Sequence, residues 1–477
     1  MNKNYYITTT LPYVNALPHM GFALEIIQAD ILARYNERLG NTVFFNFGTD
    51  EHGQKIYQKA VASGKPPQDY VDEFAAKFDD LKIALNLSYN NFIRTTDAHH
   101  KKAAQEIWIR CRDNGYIEKG IYKTKYCIGC ELEKQDSDLQ DGKCPLHPTY
   151  EIQYIEEENY FFKFSKLQLK LLDLYQANEN FVVPKHRYTE IINFVKSGLN
   201  DFSISRQKEK MPWGIEVPDD NKHVMYVWFD ALTNYISALG WPENTSKFND
   251  YWGSIANPNA IQIAGKDNLR QQSSMWQAML LAAGLPPTKQ IIIHGFITSG
   301  GQKMSKSLGN VINPFEYVDT YGTDAVRYYL VSKINPFEDS DFTKESFELT
   351  YQADLANGLG NLVSRVSKMC ETQGVVANSH NDLKFSPLIV NHLTSYRFDM
   401  AIKTIWDSIK KTDMWINDNK VWELTGEEKN KALSYLVGII LQITYDLYPF
   451  MPETADKIKK QFTSDSIKLS NPLFPRL

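Results

Sequence analysis

Residues 5–53 read YYITTTLPYVNALPHMGFALEIIQADILARYNERLGNTVFFNFGTDEHG, and three changes of rhythm divide the stretch. Tyr5 to Thr10 is rich in aromatic and β-branched residues, which predicts a strand. Leu24, Ile27, Ile31, Tyr35 and Leu39 then recur at helical spacing until Gly40 closes the run. Val43 to Phe47 is a second apolar strand, ending at Gly48-Thr49-Asp50-Glu51-His52-Gly53. Strand, helix, strand in this order predicts a right-handed parallel unit. Pro18-His19-Met20-Gly21-Phe22 forms the turn that opens the helix, where backbone N–H groups and the positive helix end can meet phosphates.

The same alternation resumes far downstream. Ile261 to Ala264 leads into Gly265-Lys266-Asp267, a helix carries Met275, Met279 and Leu280, and Ile291 to His294 is another strand. Lys303-Met304-Ser305-Lys306-Ser307 follows, a two-lysine loop between Gly300-Gly301 and Gly309 that can fold over a triphosphate. Doubly wound sheets bind ligands at the carboxyl ends of their strands, and His19, Asp50, Asp267 and the lysine loop all follow such ends. Between the halves lies an insertion, about residues 117–225, with aromatic-rich segments such as Asn159-Tyr160-Phe161-Phe162. Beyond about residue 350, apolar positions recur helically through Leu355–Cys370, Ile389–Trp415 and Ala432–Leu447, with Pro449 and Pro452 as breakers. That pattern predicts a helical bundle.

Composition narrows the class. At 477 residues the chain exceeds one ordinary core, and 43% hydrophobic with 23% charged residues marks a globular protein. No apolar run is long enough to span a bilayer, and the start lacks the run of a signal peptide, so the cytoplasm is the expected compartment. A net charge of −5 argues against bulk attraction to nucleic acid but leaves room for local basic faces, such as Arg206/Lys208/Lys210 or Lys410/Lys411. Three of the five cysteines crowd together as Cys127-x2-Cys130, followed after thirteen residues by Cys144-x2-His147. Two such knuckles suit tetrahedral zinc, in a closed and therefore structural site. Cys111 and Cys370 fall outside the pattern and read as small core residues.

The strings HMGF and KMSKS are similar to the two signatures of class I aminoacyl-tRNA synthetases. The chain further carries LPYVNALPH, GTDEHG, FIRTTD, the knuckled insertion, PWG, YVWFDALTNY, GKD, NPF at Asn313–Phe315, and YGTDAVRYYL. Along nearly its whole length it thus resembles the methionyl-tRNA synthetases. The resemblance implies an α/β fold: a Rossmann-like doubly wound parallel sheet, split by a zinc-binding insertion and followed by an α-helical anticodon-binding bundle. It divides the chain into catalytic halves at 1–116 and 226–298, the insertion at 117–225, a lysine-loop and stem-contact region at 299–350, and the bundle at 351–477.

The implied reaction is ATP-dependent activation of L-methionine to its adenylate, then transfer to tRNA(Met), with Mg2+ accompanying ATP and one structural Zn2+. His19, Gly21, Phe22, Lys303 and Lys306 would serve the nucleotide, with Gly265 and Asp267 at the adenosine. Asp50 would face the substrate ammonium, although a capping role at a strand-to-helix turn suits the same position. Leu11, Tyr13, Trp228, Ala231, Leu232, Tyr235 and Gln272 would form the side-chain pocket. Asn361, Arg365 and Trp422 would read a CAU anticodon, the first two lying four apart and hence on one helix face. A monomer is expected, because the chain stops soon after the bundle.

Departures from the family pattern stand beside the matches. Phe22 replaces the second signature histidine, and Thr10 replaces a small apolar residue. Asn268, Gln271 and Gln272 occupy positions usually held by an apolar residue, an aromatic and a histidine. They leave open a paralogue that activates a more polar amino acid by the same chemistry. A zinc-knuckle RNA-binding protein on an inactive scaffold is the non-enzymatic alternative, against which Lys303, Lys306, Asp50 and Asp267 argue.

Overall fold

The apolar runs at the start of the chain fold into neighbouring parallel strands, β1 (Asn4–Thr9) and β2 (Thr42–Thr49), as their composition predicts. The computed structural model describes residues 3–134, 136–304, 309–375 and 383–477. Two compact units emerge: Met1–Pro18, Gly40–Asp80 and Tyr89–Ile293 form the first, and His19–Leu39, Leu81–Ser88 and His294–Leu477 the second.

The first unit is built on a six-stranded sheet that adds β3 (Asn91–Arg94), β4 (Val182–Val183), β5 (Ala260–Gly265) and β6 (Gln290–His294). The order is β3-β2-β1-β5-β6-β4. β1 runs parallel to both β2 and β5, with Ile7 opposite Phe45 on one side and Ile261 on the other. Winding therefore reverses between β1 and β5, which makes their carboxyl ends the switch point where such sheets bind ligands. Every residue of β5 is buried, as a strand covered on both faces requires.

The stretch at 117–225 carries a four-stranded antiparallel sheet, in which Ile117–Cys127 pairs with Gln153–Phe162 and with Leu132–Lys134. It also returns the short strand β4 to the edge of the central sheet. Among its basic residues, Arg206 is buried between the rings of Tyr126 and Tyr226, while Lys208 and Lys210 pair with Glu216 and Glu157. Arg206 of that cluster is thus taken up within the protein, while the side chains of Lys208 and Lys210 remain partly exposed in their pairs.

In the second unit, helix Met20–Arg38 carries Asp30 into a wholly buried ion cluster. Asp30 accepts from Arg34 one turn later at 2.8 Å and from Arg327 at 2.7 Å, and Ser88 donates to it through both backbone and hydroxyl. Arg327 also donates to the carbonyls of Leu85, Pro449 and Phe450, so one guanidinium ties distant segments together. The bundle follows as predicted, with one difference. The periodic stretch 389–415 belongs to two helices, Pro387–Thr394 and Phe398–Asp418, separated at Tyr396 by a left-handed φ of 57°. Leu393 and Phe398 are both buried, so the apolar pattern runs through a break that no glycine or proline announces. Among the described residues, no helix is long and apolar enough to cross a membrane.

Candidate functional site

The segments that leave β1, β2 and β5 converge on one cavity. Thr10 and Leu11 follow β1, Asp50 follows β2, and Asn268 and Gln272 follow β5. The short helices Val227–Ala231 and Asn234–Ser237, with the turn between them, complete the wall with Trp228, Ala231, Leu232 and Tyr235. The pocket residues expected from the sequence thus meet, with one exception. Tyr13 does not line the cavity; its backbone bridges Asp50 and its hydroxyl donates to Glu131 at 2.8 Å.

Asp50 is 6% exposed, and its Oδ1 has no hydrogen-bond partner. Burial first, then the carboxylates of Asp230, Glu131 and Glu51, push its pKa well above the usual range, and the His52 backbone N–H pulls the other way. The helix that starts at Gln54 is preceded by Gly53 and has no side-chain cap bond, so Asp50 does not serve as its cap. A buried carboxylate with an unmatched oxygen in a negative field is a site for a cation.

The loop that presents Asp50 is clamped by residues to which sequence reasoning assigned no role. Asp230 faces His52 Nδ1 at 2.6 Å and His100 Nε2 at 2.8 Å, and the other His100 nitrogen meets the Ser237 hydroxyl. Burial alone would raise the Asp230 pKa, but the two imidazoles prevail and hold it below its ordinary value. Glu51 takes two bonds from Arg94, at 2.6 and 2.9 Å, and its carbonyl accepts from the Trp213 indole. The blocks GTDEHG, FIRTTD and YVWFDALTNY contain several of these residues, but nothing in their spacing shows that they touch.

The altered wall is polar where it matters. Gln272 is 2% exposed, its Nε2 donates to the Tyr235 hydroxyl, and its Oε1 is buried without a partner. Asn268 shares the wall, whereas Gln271 does not line the cavity. Of the adenosine-directed residues, Gly265 ends β5 and is buried, and Asp267 stands exposed in the turn after it.

In the second unit, His19 caps the helix Met20–Arg38 by accepting the Gly21 N–H on Nδ1 at 3.1 Å. That bond places the proton of a neutral ring on Nε2. A Cβ at Gly21 would sit 2.9 Å from the His19 ring, so the cap itself calls for glycine. The ring of Phe22 lies 4.3 Å from that of His19. Lys303 ends a hairpin, Ile297–Ser299 with Gln302–Lys303, whose turn is Gly300-Gly301 at φ of 62° and 73°. Asp341 secures the hairpin by accepting from Thr298 and from the Gly301 N–H. Lys306 lies outside the described residues.

Cys127, Cys130, Cys144 and His147 come together with all four ligand atoms within 4.8 Å of one another. Cys130 Sγ is 3.4 Å from Cys144 Sγ and 3.2 Å from His147 Nδ1. Gly129 is needed there, because a Cβ would meet the His147 ring at 2.4 Å. Three thiols and one imidazole at this separation fit a closed tetrahedral metal site. Cys111 and Cys370 are buried singly, as expected.

Of the three residues expected at an anticodon, Arg365 and Trp422 come together, and Asn361 lies one turn before Arg365. Asn361 is exposed at the start of helix Asn361–Gln373, and Arg365 follows one turn later. The Arg365 guanidinium lies 5.0 Å from the centre of the Trp422 ring and donates to Asn417 at 2.8 Å. Trp422 is 45% exposed, which a core tryptophan would not be.

Comparison with known proteins agrees with this geometry. The family model for tRNA synthetases class I (M) matches residues 5–153 and 129–367. A methionine–tRNA ligase from Thermotoga maritima is 39% identical over 474 residues, covering 95% of this chain and 74% of that protein. One from Rickettsia bellii is 37% identical over 481 residues, covering 97% and 93%. The crystal structure of Mycobacterium tuberculosis methionyl-tRNA synthetase bound by methionyl-adenylate superposes with a TM-score of 0.91 at 32% identity, covering 99% of this chain and all of that one.

Proposed function

The chain belongs to the methionyl-tRNA synthetases of class I, and from that premise we propose how its own residues carry the ATP-dependent ligation of methionine to tRNA. Asp50 carries the reading. Its unmatched buried oxygen, in a cavity lined by Leu11, Trp228 and Tyr235, suits a substrate with an ammonium at one end and an apolar, polarisable chain at the other.

Activation requires the methionine carboxylate to attack the α-phosphorus of ATP while pyrophosphate leaves. Two anions must approach, so the enzyme's work is positioning and charge neutralisation. His19 donates from Nε2 to phosphate oxygens, and Lys303 with Lys306 meets the pyrophosphate as its charge develops. Asp267 accepts from the ribose hydroxyls, while Gly265 leaves room for the adenosine. Phe22 supplies a ring in place of a second donor. Mg2+ accompanies the nucleotide and supplies further neutralisation of its phosphates. Zn2+ is the ion that the Cys127, Cys130, Cys144 and His147 set would hold, in a structural role.

In the second step a terminal ribose hydroxyl of tRNA attacks the adenylate's carbonyl carbon, the methionyl group passes to that oxygen and AMP leaves. Trp422 offers a partly exposed face for stacking an anticodon base of CAU, with Arg365 beside it and Asn361 one turn before Arg365 on its helix as hydrogen-bond donors. One chain carries every residue set, so a monomer suffices. The cytoplasm, where tRNA is charged for translation, is the compartment this reaction implies.

Asn268 and the unpartnered Gln272 Oε1 favour a second reading, activation of a polar amino acid. An amide has ends of equal shape, however. With Gln272 turned about, Tyr235 donates to Oε1 and the N–H groups face the thioether sulfur, which accepts weakly. Pyrophosphate exchange measured with each standard amino acid decides between them. Methionine is expected to show the highest kcat/KM, and a polar amino acid outcompeting it would overturn the choice of side chain.

A further inference from the structure

The residue after Cys130 leaves the knuckle and enters the catalytic unit. Glu131 is 6% exposed and holds a left-handed φ of 51°, a conformation uncommon in a residue with a side chain. Its carboxylate accepts from the Tyr13 hydroxyl at 2.8 Å and from the Lys55 backbone N–H at 2.8 Å. Its carbonyl accepts from the Tyr226 hydroxyl. The Lys55 ammonium reaches back to the Gly129 carbonyl inside the CxxC turn at 3.2 Å. Gly53 makes this approach possible, since a Cβ there would lie 2.6 Å from the Tyr13 hydroxyl and 3.3 Å from Glu131 Oε2.

Tyr13 stands directly beside Asp50 in the backbone. The Asp50 N–H donates to the Pro12 carbonyl at 3.0 Å, and the Val14 N–H donates to the Asp50 carbonyl at 3.1 Å. A continuous path therefore runs from the sulfur of Cys130 through Glu131 and the Tyr13 hydroxyl to the backbone that holds Asp50. Each link is a named hydrogen bond or a covalent neighbour, and all of them belong to one unit. Released from the ligand cluster, Cys130 would no longer hold Glu131 in its left-handed turn, and Tyr13 would lose its acceptor.

Resting on the functional reading above, we propose that Glu131 is a positioning residue that links metal occupancy of the Cys127/Cys130/Cys144/His147 cluster to methionine binding at Asp50. The metal then shapes the amino-acid pocket as well as the insertion. Linkage of this kind is reciprocal: methionine must tighten zinc by the same factor by which zinc tightens methionine.

The test uses the full chain without ATP. Zinc affinity is measured by competition with a chromogenic chelator, with and without saturating methionine, and methionine affinity by calorimetry on zinc-loaded and zinc-free protein. Both are expected to change by one common factor, about fivefold or more, within the usual range of coupling between sites. Glu131→Ala and Tyr13→Phe should each abolish the effect, whereas Glu131→Gln should keep it, because the amide oxygen still accepts from Tyr13. Should Glu131→Ala fail to fold, Tyr13→Phe decides alone, since it leaves the metal ligands and their neighbours intact. Zinc affinity indifferent to methionine in the unaltered protein overturns the linkage. So does an effect that survives Tyr13→Phe, which would mark linkage through unfolding alone. Failure of zinc-loaded protein to bind methionine at all would overturn the functional reading too.

Discussion

Asp30 in one unit and Asp50 in the other are both buried, and burial alone would make either one reluctant to ionise. Around Asp30 the protein supplies everything the carboxylate needs, namely two guanidiniums, a hydroxyl and a backbone N–H. Burial pushes its pKa up, yet Arg327 and Arg34 with Ser88 prevail and hold it below its ordinary value. Around Asp50 the charges that act most strongly are other carboxylates, and one oxygen is left without a partner. The first carboxylate is complete and serves the fold. The second keeps one buried oxygen unmatched, and that is the observation behind the binding role we propose for it. Keeping such a group inside a folded protein requires a rigid surround, which explains why Asp230, His52, His100, Glu51 and Arg94 crowd the same loop.

The matched replacements Asp30→Asn and Asp50→Asn test this contrast most severely. Asp30→Asn leaves Arg327 buried with no opposite charge and should cost about 3–5 kcal/mol of folding stability, measured by urea denaturation. Asp50→Asn should leave stability unchanged or higher, and should weaken methionine binding by about 3 kcal/mol in calorimetry, as loss of one partner in a buried charge pair does. If Asp50→Asn unfolds the protein while methionine affinity in the survivors is normal, the contrast is broken.

The buried Asp50 site also contrasts with the exposed lysine hairpin. Lys306→Ala should slow single-turnover adenylate formation by about 3 kcal/mol with methionine affinity nearly unchanged, since its charge is matched only as pyrophosphate departs. An unaltered single-turnover rate would remove Lys306 from the chemistry. Smaller effects belong to the bundle. Trp422→Ala or Arg365→Ala should reduce kcat/KM for aminoacylation of a CAU-bearing tRNA by about 1–3 kcal/mol, the usual worth of one stacked base. Pyrophosphate exchange without tRNA should remain intact, and equal damage to both assays would make these residues structural.

The smallest effect is in the pH dependence, and its sign differs between the two aspartates. Because the folded pKa of Asp30 lies below the ordinary 3.8, its stabilisation is fully present above that value and is lost as pH falls through the folded pKa. Asp50 has a folded pKa above 3.8, so its penalty is absent at low pH and grows as pH rises toward the folded value. The stability gap between Asp50→Asn and the unaltered protein should therefore widen from pH 4 to 8. Over that window the gap for Asp30→Asn should stay flat. A flat gap for both would mean that Asp50 is not strained in the empty pocket.

Much of this was readable in the chain itself. Periodicity found β1, β2, β5, β6 and the helical bundle, and the CxxC and CxxH spacings found the four residues that cluster as a possible metal site. The resemblance found Asp50 and most of the cavity wall. What it could not show is why Tyr13 matters, since the hydroxyl serves Glu131 and not the cavity. Tyr396 likewise breaks a helix inside an uninterrupted apolar pattern, because local rhythm records which side faces the core and not where the chain turns.

By itself the sequence determined the features set by neighbours within a few residues: strand and helix periods, the turn at Gly300-Gly301, the His19 cap at Gly21 and the knuckle spacing. Those depend on backbone sterics and on side chains one turn apart. Only the tertiary structure decided which buried charges find partners. His52 meets Asp230 across 178 residues, Tyr13 meets Glu131 across 118, and Asp30 meets Arg327 across 297. Separations of that size carry no local signal, because strand order and the return of the insertion determine which side chains meet. The same topology left one oxygen of Asp50 without a partner. That unmatched oxygen is a property of the folded chain, and it is the group we propose for the methionine ammonium.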